Sequence, residues 1–373
     1  MKKFLTLLLG CALLLLPLSY AGAAEGPVEK SDIKLIVNNL SIKLPDVPLI
    51  LGGRTLLPLR ATLTALGVPN DDDHIIWNGD DGSVTIINGG NTIFLKVGSK
   101  MAVSDGRTVE LDTAPVIYPK NQRVYIPVRF VSNAVGKEVA WEDATRTVLI
   151  RDRDSYAEMK SVLERIDTAM GGINKVKLSS RMKLNITRQG SKAVFDAAMN
   201  EELDKKAGLM YSATATALFG SDITFEAFFR DNAEYSKSPG GSWAKEPLAE
   251  RDFRKKLVED VSLEALNNIE VMAASLEKGE GRTEGEYILS GGMYPKSIAS
   301  EICKSAGIES LIPETAFFEA TLDAKTDLVK RLHAEFGGAG LLGSSACDIS
   351  ATVDVDYTDY DGAFEIKIPE GLR

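Results

Sequence analysis

The sequence predicts an α+β protein with two domains: a β-rich domain built on two repeats with short helices, then a curved antiparallel sheet covered by helices. Three observations predict this class. The chain has 373 residues, which exceeds the size at which one hydrophobic core usually stops growing. A short motif recurs at a constant offset in the first half, and runs of alternating apolar and polar residues fill the second half.

The composition argues against a nucleic-acid partner. The chain carries 53 acidic and 43 basic residues, a formal net charge of −10. A negative surface repels nucleic-acid phosphates and anionic membrane surfaces alike. We therefore expect that the partner is neither a nucleic acid nor an anionic membrane surface.

Residues 1–24 have the organisation of a secretory signal peptide. Lys2 and Lys3 form its basic end, residues 4–18 its apolar stretch, and Ala21–Ala23 a small-residue cleavage site. The alternative is lipoprotein processing at Cys11, which would leave apolar residues 12–18 on the mature protein. No other segment approaches the roughly 20 apolar residues that cross a bilayer. We expect the mature protein outside the cytoplasmic membrane, secreted or in the cell envelope.

An internal repeat organises the first half. The segment Arg54–Arg60, followed by Gly67, returns as Arg123–Arg129, followed by Gly136, at an offset of 69 residues. Each copy continues to a tryptophan and a β-branched run. Residues 63–66 and 130–135 suit short helices that end at the glycines, and Asp105-Gly106 suits a hairpin turn. Because one such unit cannot bury its apolar face alone, we expect the copies to share a core.

At these residues the chain resembles the copper amine oxidase N-terminal-like domain, or stalk domain, of exported bacterial proteins. The resemblance covers residues 33–151, and Asn78 and Glu142 replace the aspartate that usually follows the tryptophan. It implies a spacer or recognition module without activity of its own, attached to the wall or to an envelope protein. The residues that carry it are Gly53–Arg60, Ala65–Gly67, Val139–Trp141 and Thr147–Ile150.

The sequence predicts no copper site, other metal site or cofactor. Copper in an amine oxidase needs three imidazoles, and the whole chain has two histidines, His74 and His333. Arg60 and Arg129 could bind a ligand as a pair. Their symmetric placement after proline favours a structural role, with each guanidinium bound to carbonyls or carboxylates.

The second domain is predicted to span residues 155–373 and to open with a helix. Ser155 and Glu158 form a capping box. An apolar helical stripe follows, and Gly171-Gly172 ends it. Strands with a two-residue period follow at residues 175–186, 211–219, 223–229 and 348–357. The stretches 250–277 and 296–306 are predicted helices that cover the apolar face of the resulting sheet.

An alanine-rich strand predicts a cavity in this sheet. Small side chains leave volume that helices need not fill, which suits an apolar ligand. The alternative is a closed hydrophobic core, because alternating apolar faces are first of all core. The candidate lining residues are Met182, Leu184, Phe195, Met199, Tyr211, Ala213, Ala215 and Phe225.

The layout of residues 155–373 resembles the LolA-type family of exported lipoprotein carriers and its lipid-binding relatives. The resemblance rests on the opening helix, Tyr235 with Gly241–Trp243, the helical insert, the Asp323–Thr326 turn and final strands from Tyr357 to Pro369. It implies a half-barrel that holds acyl chains between sheet and helices. No motif assigns an individual binding residue.

No enzymatic motif survives inspection, and we expect a non-enzymatic protein. Residues 338–343 match G-x-G-x-x-G, but strands lie on both sides, so we predict a glycine-rich loop between strands and no dinucleotide site. Asp71–Asp73 suits a solvated loop. Cys303 and Cys347 either pair as a disulfide or remain two buried thiols, and the sequence leaves both readings open.

Overall fold

The computed structural model describes residues 26–218, 221–259 and 267–373. Over these ranges the protein is mostly β-structure, with 25 strands and six helices. The predicted signal peptide, including Cys11, lies outside the described residues. None of the helices in these ranges is long and apolar enough to cross a membrane.

Three sheets make up the N-terminal half. Their strand orders are β1-β4-β5-β12-β11, β10-β9-β8-β7-β6 and β13-β14-β2-β3. The elements are β1 Val28–Glu29, β2 Lys34–Val37, β3 Leu40–Ile42, β4 Leu49–Leu51, β5 Arg54–Pro58, α1 Leu59–Ala65, β6 Ile75–Asn78, β7 Ser83–Asn88, β8 Asn91–Lys96, β9 Met101–Ser104, β10 Arg107–Glu110, β11 Val116–Tyr118, β12 Arg123–Pro127, α2 Val128–Ala134, β13 Lys137–Glu142 and β14 Thr147–Asp152.

The repeated segments meet each other at the centre of the first sheet. Strands β5 and β12 pair antiparallel, with Leu57 opposite Ile126, and these two residues stand 69 positions apart in the sequence. Each is thus opposite its own counterpart, which places an approximate two-fold axis at this pair. Leu57, Leu63, Ile126 and Val131 lie in one buried cluster, so the two segments share a core.

Proline and glycine set the ends of the two short helices. Each helix has seven residues and begins directly after Pro58 or Pro127, because proline has a fixed φ and needs no N–H partner there. Gly67 and Gly136 follow with φ of +91° and +79°, a conformation that glycine adopts without steric cost. The predicted glycine stops are confirmed, and the helices begin earlier than predicted.

One eleven-stranded antiparallel sheet dominates the C-terminal half, in the order β20-β19-β18-β17-β16-β15-β25-β24-β23-β22-β21. The first long strand therefore pairs with the last. The elements are α3 Arg153–Gly172, β15 Lys175–Arg188, β16 Ser191–Asp204, β17 Leu209–Leu218, β18 Ser221–Arg230, β19 Ala233–Lys237, β20 Ala244–Pro247, α4 Glu250–Glu259, α5 Ile269–Ser275, β21 Leu276–Glu280, β22 Glu286–Gly291, α6 Lys296–Ser305, β23 Ile308–Asp323, β24 Val329–Leu342 and β25 Ser345–Thr358.

Helices α3, α4 and α5 pack on one side of this sheet. Their apolar side chains, such as Leu163, Phe253 and Met272, share a buried cluster with Val176 and Leu203 of the strands. We name this side the helix face and the opposite side the outer face. Helix α6 packs on the helix face near the other end of the strands, in a second cluster.

Four predictions for this half need correction. Helix α3 begins at Arg153 after Asp152, so Ser155 lies inside its first turn and does not cap it. The predicted helix 250–277 is divided into α4 and α5, and Leu276 already belongs to β21. Gly338–Leu342 lies within β24 instead of a loop. The last strand ends at Thr358, and residues 359–373 form no further strand.

Helix α5 joins the two halves. Val271 and Ala274 pack against Ala140 and Leu149 of the N-terminal half. Arg151 of β14 donates hydrogen bonds to the carbonyl oxygens of Ala273 and Leu276, at the C-terminal end of α5. Two buried side chains also meet across the interface, where Asn267 Nδ2 donates to Glu142 Oε2 at 2.5 Å. The same Nδ2 donates to the carbonyl oxygen of Tyr294 within the C-terminal half at 2.9 Å.

Candidate functional site

The candidate lining residues fall on both faces of the sheet. Directly paired residues of an antiparallel ladder point to the same side. Met182 pairs with Ala197, Leu184 with Phe195 and Ser180 with Met199, and Met199 pairs with Thr214, which pairs with Phe225. The predicted residues on the helix face are therefore Met182, Leu184, Phe195, Met199 and Phe225.

The remaining three candidates lie on the outer face. Tyr211 pairs with Glu202, Ala213 with Asn200 and Ala215 with Ala198. Ala213 and Ala215 are the neighbours of Thr214 in the strand, so their side chains point to the opposite face. The alanine stripe thus points away from the helices, and the prediction that it faces Met182 and Phe195 across one cavity is wrong. Ser212, Thr214 and Thr216 occupy the helix face in its place.

Part of the helix face is closed. Along one row of the ladder, Val176, Leu203, Met210 and Phe229 are between 0 and 5% exposed. These side chains pack against α3, α4 and α5. Leu184 is also closed, because α6 covers it together with Ile186 and Ile349.

Farther along strands β16 to β18 the same face is open. Phe225 is 40% exposed and Phe195 is 39% exposed. Met182, Met199, Thr214 and Ile223 around them are half-buried. We name these six residues the open patch. They form an apolar surface with one hydroxyl, beside the closed core and continuous with it.

A buried carboxylate marks the boundary between the two parts. Glu201 is 4% exposed and belongs to the row Leu178, Glu201, Ser212, Ala227. This row separates the closed row from the row that holds Met199 and Phe225. Sequence reasoning missed Glu201, Thr214 and Ile223 as site residues. The alternation at 223–229 already indicated the face of Ile223, whereas the other two depend on strand register.

Neither histidine lies near the open patch. His74 Nδ1 lies 2.7 Å from Asp71 Oδ1 in the first half. His333 of β24 contacts Asp354 and Glu335 on its own sheet. Within the described ranges, no group of three or more histidine, cysteine, aspartate or glutamate side chains could hold a metal ion.

Arg60 has the structural role that the sequence favoured. Its guanidinium donates to Asn70 Oδ1 at 3.3 Å, Asp72 Oδ1 at 3.0 Å and the carbonyl of Ile75 at 3.2 Å. It therefore holds the loop between α1 and β6. Arg129, its counterpart, is exposed on α2.

The two cysteines meet in the cluster beneath α6. Cys347 is buried in it and Cys303 packs against it, and both are free thiols in the structure. Burial, with a smaller contribution from Cys347, raises the pKa of the Cys303 thiol. Both side chains therefore belong to the cluster beneath α6, against which Met182 of the open patch also packs.

The comparison with family models supports the resemblance of the first half. The sequence model of the family described as copper amine oxidase N-terminal domain matches residues 36–150, which confirms the predicted resemblance of the first half. No curated protein matches the chain.

Three solved structures match between 54 and 58% of this chain at low identity. LprF from Mycobacterium bovis is 13% identical, with 58% of this chain and 98% of that chain covered and a TM-score of 0.34. The Mycobacterium tuberculosis lipoprotein LppX is 7% identical, with 57% and 99% covered and a TM-score of 0.30. A LolA superfamily protein from Nitrosomonas europaea is 9% identical, with 54% and 91% covered and a TM-score of 0.18.

Proposed function

We propose that this protein is an exported, non-enzymatic envelope protein whose C-terminal sheet, curved as a half-barrel, binds the acyl chain of a lipid on the open patch. The N-terminal half attaches it to the wall or to an envelope protein. One observation carries the ligand proposal. Two phenylalanines, Phe195 and Phe225, stay about 40% exposed on the same face as the closed core.

The chemistry of the open patch suits an acyl chain. Burial of apolar surface stabilises a complex by about 25 cal/mol per Å², and the patch offers two aromatic rings and an isoleucine. Met182 and Met199 add flexible thioether side chains, which adapt to ligands of irregular shape. The polar groups on this part of the face are mainly hydroxyls: Thr214 lies in the patch, and Thr216 and Ser180 pair with Ile223 and Met199. Glu201 and Ser212 lie in the bordering row.

The first half supplies a surface for attachment. Ile76 and Trp77 of β6 are 40% and 41% exposed, and β6 is an edge strand of its sheet. In the second repeat, Trp141 is half-buried beneath Arg146. The exposed tryptophan of the first repeat is thus available to a partner, and aromatic side chains are enriched at protein interfaces.

A matched pair of charge substitutions tests the ligand proposal. Phe225→Asp places a carboxylate in the open patch, and Thr224→Asp places the same charge one residue earlier on the outer face. We expect Phe225→Asp to weaken binding of a fluorescent long-chain fatty acid at least tenfold, because apolar contact is lost and a charge meets the chain. Thr224→Asp should bind like the parent protein in the same titration.

The second candidate is a structural envelope protein with a closed C-terminal core. The row from Val176 to Phe229, at most 5% exposed, favours it for that part of the sheet. Native mass spectrometry of the secreted protein distinguishes the two. Lipid retained by the parent protein and lost in Phe225→Asp supports the carrier, whereas ligand-free protein that takes up neither fatty acid nor phospholipid supports the structural candidate.

A further inference from the structure

A groove of about 680 Å³ lies on the outer face of the large sheet, opposite the helices. This volume is typical of small-molecule sites, which measure about 300–1,000 Å³. Strands β15 to β19 form its floor, and Trp243 and the C-terminal segment form its walls. The lining residues are Lys177, Asn200, Glu202, Tyr211, Glu226, Lys237, Trp243, Glu365, Lys367, Ile368, Pro369, Glu370 and Arg373.

The floor consists of two rows of the ladder. Lys177, Glu202 and Tyr211 form one row. Asn200, Ala213, Glu226 and Lys237 form the next. Ala213 thus lies between the lining residues Asn200 and Glu226. Because its side chain is small, the groove is deeper at this point.

The C-terminal segment is fastened across the strands. Arg230 Nη2 donates to the carbonyl of Leu372 at 2.8 Å, and Trp243 Nε1 donates to the carbonyl of Glu370 at 3.2 Å. At the other end of the segment, Lys177 Nζ lies 4.7 Å from the ring centroid of Phe364. These contacts make the wall part of the folded protein.

The charges of the groove balance. Four cationic side chains, Lys177, Lys237, Lys367 and Arg373, accompany four carboxylates, Glu202, Glu226, Glu365 and Glu370. Lys177 and Lys237 already form ion pairs with Glu202 and Glu226, at 3.2 and 2.8 Å. A strongly charged ligand would meet as much repulsion as attraction here, whereas a neutral ligand with many hydroxyls finds donors and acceptors along the floor.

Two hydrogen bonds fix the carboxylate of Glu226 at the centre of the floor. Tyr211 Oη donates to Glu226 Oε1 at 2.7 Å, and Lys237 donates to Oε2. These two hydrogen bonds lower the pKa of Glu226. Burial, together with Glu226, raises the pKa of Tyr211 to about 12. At neutral pH the carboxylate is therefore a fixed acceptor and the phenol a fixed donor.

We propose that the outer groove binds an uncharged oligosaccharide. Donors and acceptors along the floor of the groove, with the Trp243 indole at its wall, match the hydroxyls and the C–H faces of sugar rings. The site lies on the opposite side of the sheet from the open patch, and its occupant is independent of the lipid.

Filling the floor tests this assignment. We expect saturable binding of chitotriose or cellotriose to the parent protein by calorimetric titration. Ala213→Leu fills the groove and should weaken that binding at least tenfold. Ala215→Leu adds the same atoms on the same strand and face, between Ala198 and Thr224 and outside the lining, and should change the affinity less than twofold.

Tryptophan fluorescence gives a second readout. Sugar binding should shift the emission of the parent protein, and the shift should disappear in Trp243→Phe and persist in Trp77→Phe. The assignment would be overturned if neither sugar bound, if the two alanine variants had equal affinities, or if inorganic phosphate competed with the sugar. Fatty-acid binding by Ala213→Leu should remain unchanged, so failure here is distinguishable from failure of the lipid proposal.

Discussion

Two glycines of β24 lie where no side chain fits. A Cβ atom at Gly338 would come within 2.0 Å of the carbonyl oxygen of Ile312, and one at Gly340 within 2.3 Å of Ile349 Cδ1. The neighbouring strand β23 is irregular here, with a register shift between Pro313 and Thr315. Gly338 and Gly340 therefore allow the close approach of the neighbouring strands, a general reason for glycine within sheets.

This packing predicts a large difference between two glycine substitutions. Gly338→Ala should destabilise the protein by about 3 kcal/mol or more, because the obstructing atom belongs to backbone that cannot move without breaking the ladder. Gly343 lies in the following turn with φ of +58° and no atom within 4 Å of a built Cβ. Gly343→Ala should lower the free energy of unfolding by only about 1–2 kcal/mol, because alanine is strained in the left-handed conformation.

Urea denaturation of the two variants measures this difference. Equal midpoints for Gly338→Ala and Gly343→Ala would show that the strands separate freely at this point. Such a result would contradict the close approach of β23 and β24.

At the scale of elements, α5 depends on both halves of the chain. It has seven residues, fewer than an isolated helix needs to be stable in water. Val271 and Ala274 face the N-terminal half, while Met272 and Ala273 pack in the core of the large sheet. Asn268 caps its N-terminus by accepting from the backbone N–H of Glu270 at 2.7 Å.

Arg151 donates hydrogen bonds to backbone carbonyl oxygens at the C-terminal end of α5. Desolvation lowers the pKa of its guanidinium, which still donates to two carbonyls of α5 and β21. Arg151→Met should destabilise the protein by about 1.5–3 kcal/mol, the usual value of hydrogen bonds from a charged donor. Amide hydrogen exchange should accelerate at residues 269–275.

Arg153→Met is the matched control, since Arg153 is exposed and pairs with Glu138 at the surface. An exposed ion pair contributes about 0–1 kcal/mol, and exchange in α5 should stay slow. If both variants exchange alike at α5, Arg151 does not hold this helix.

At the scale of the whole molecule, we propose the domain boundaries 33–151 and 155–373. The large core clusters of the two halves share no residue. Helix α5 and Arg151 form contacts between the halves. Each half expressed alone should be soluble and unfold cooperatively in differential scanning calorimetry.

The interface predicts a further shift. The isolated 155–373 half should melt at a lower temperature than the same domain in the full chain, because Val271 and Ala274 lose their cover. The isolated 33–151 half should change less, since its main cluster contains no residue of α5. Insolubility of both halves would contradict these boundaries.

Much of the local structure follows from the sequence alone. Proline and glycine mark the ends of α1 and α2, because each restricts or permits a backbone conformation whatever surrounds it. The period of β15 assigns Val176, Leu178, Leu184 and Ile186 to one buried face, because the polar residues between them favour water. These signals are local, and each survives in the fold.

The face of β17 was decided only by tertiary structure. Its apolar stripe, Ala213 and Ala215, points outward, and its hydroxyl stripe, including Thr214, faces the helices. Alanines contribute little apolar surface, so the pattern within β17 cannot determine its orientation. The hairpin from Asp204 to Leu209 determines it instead, because its loop length sets the register with β16. The alanine stripe therefore could not place a cavity from the sequence alone, because only the strand pairing assigns Ala213 and Ala215 to the outer face.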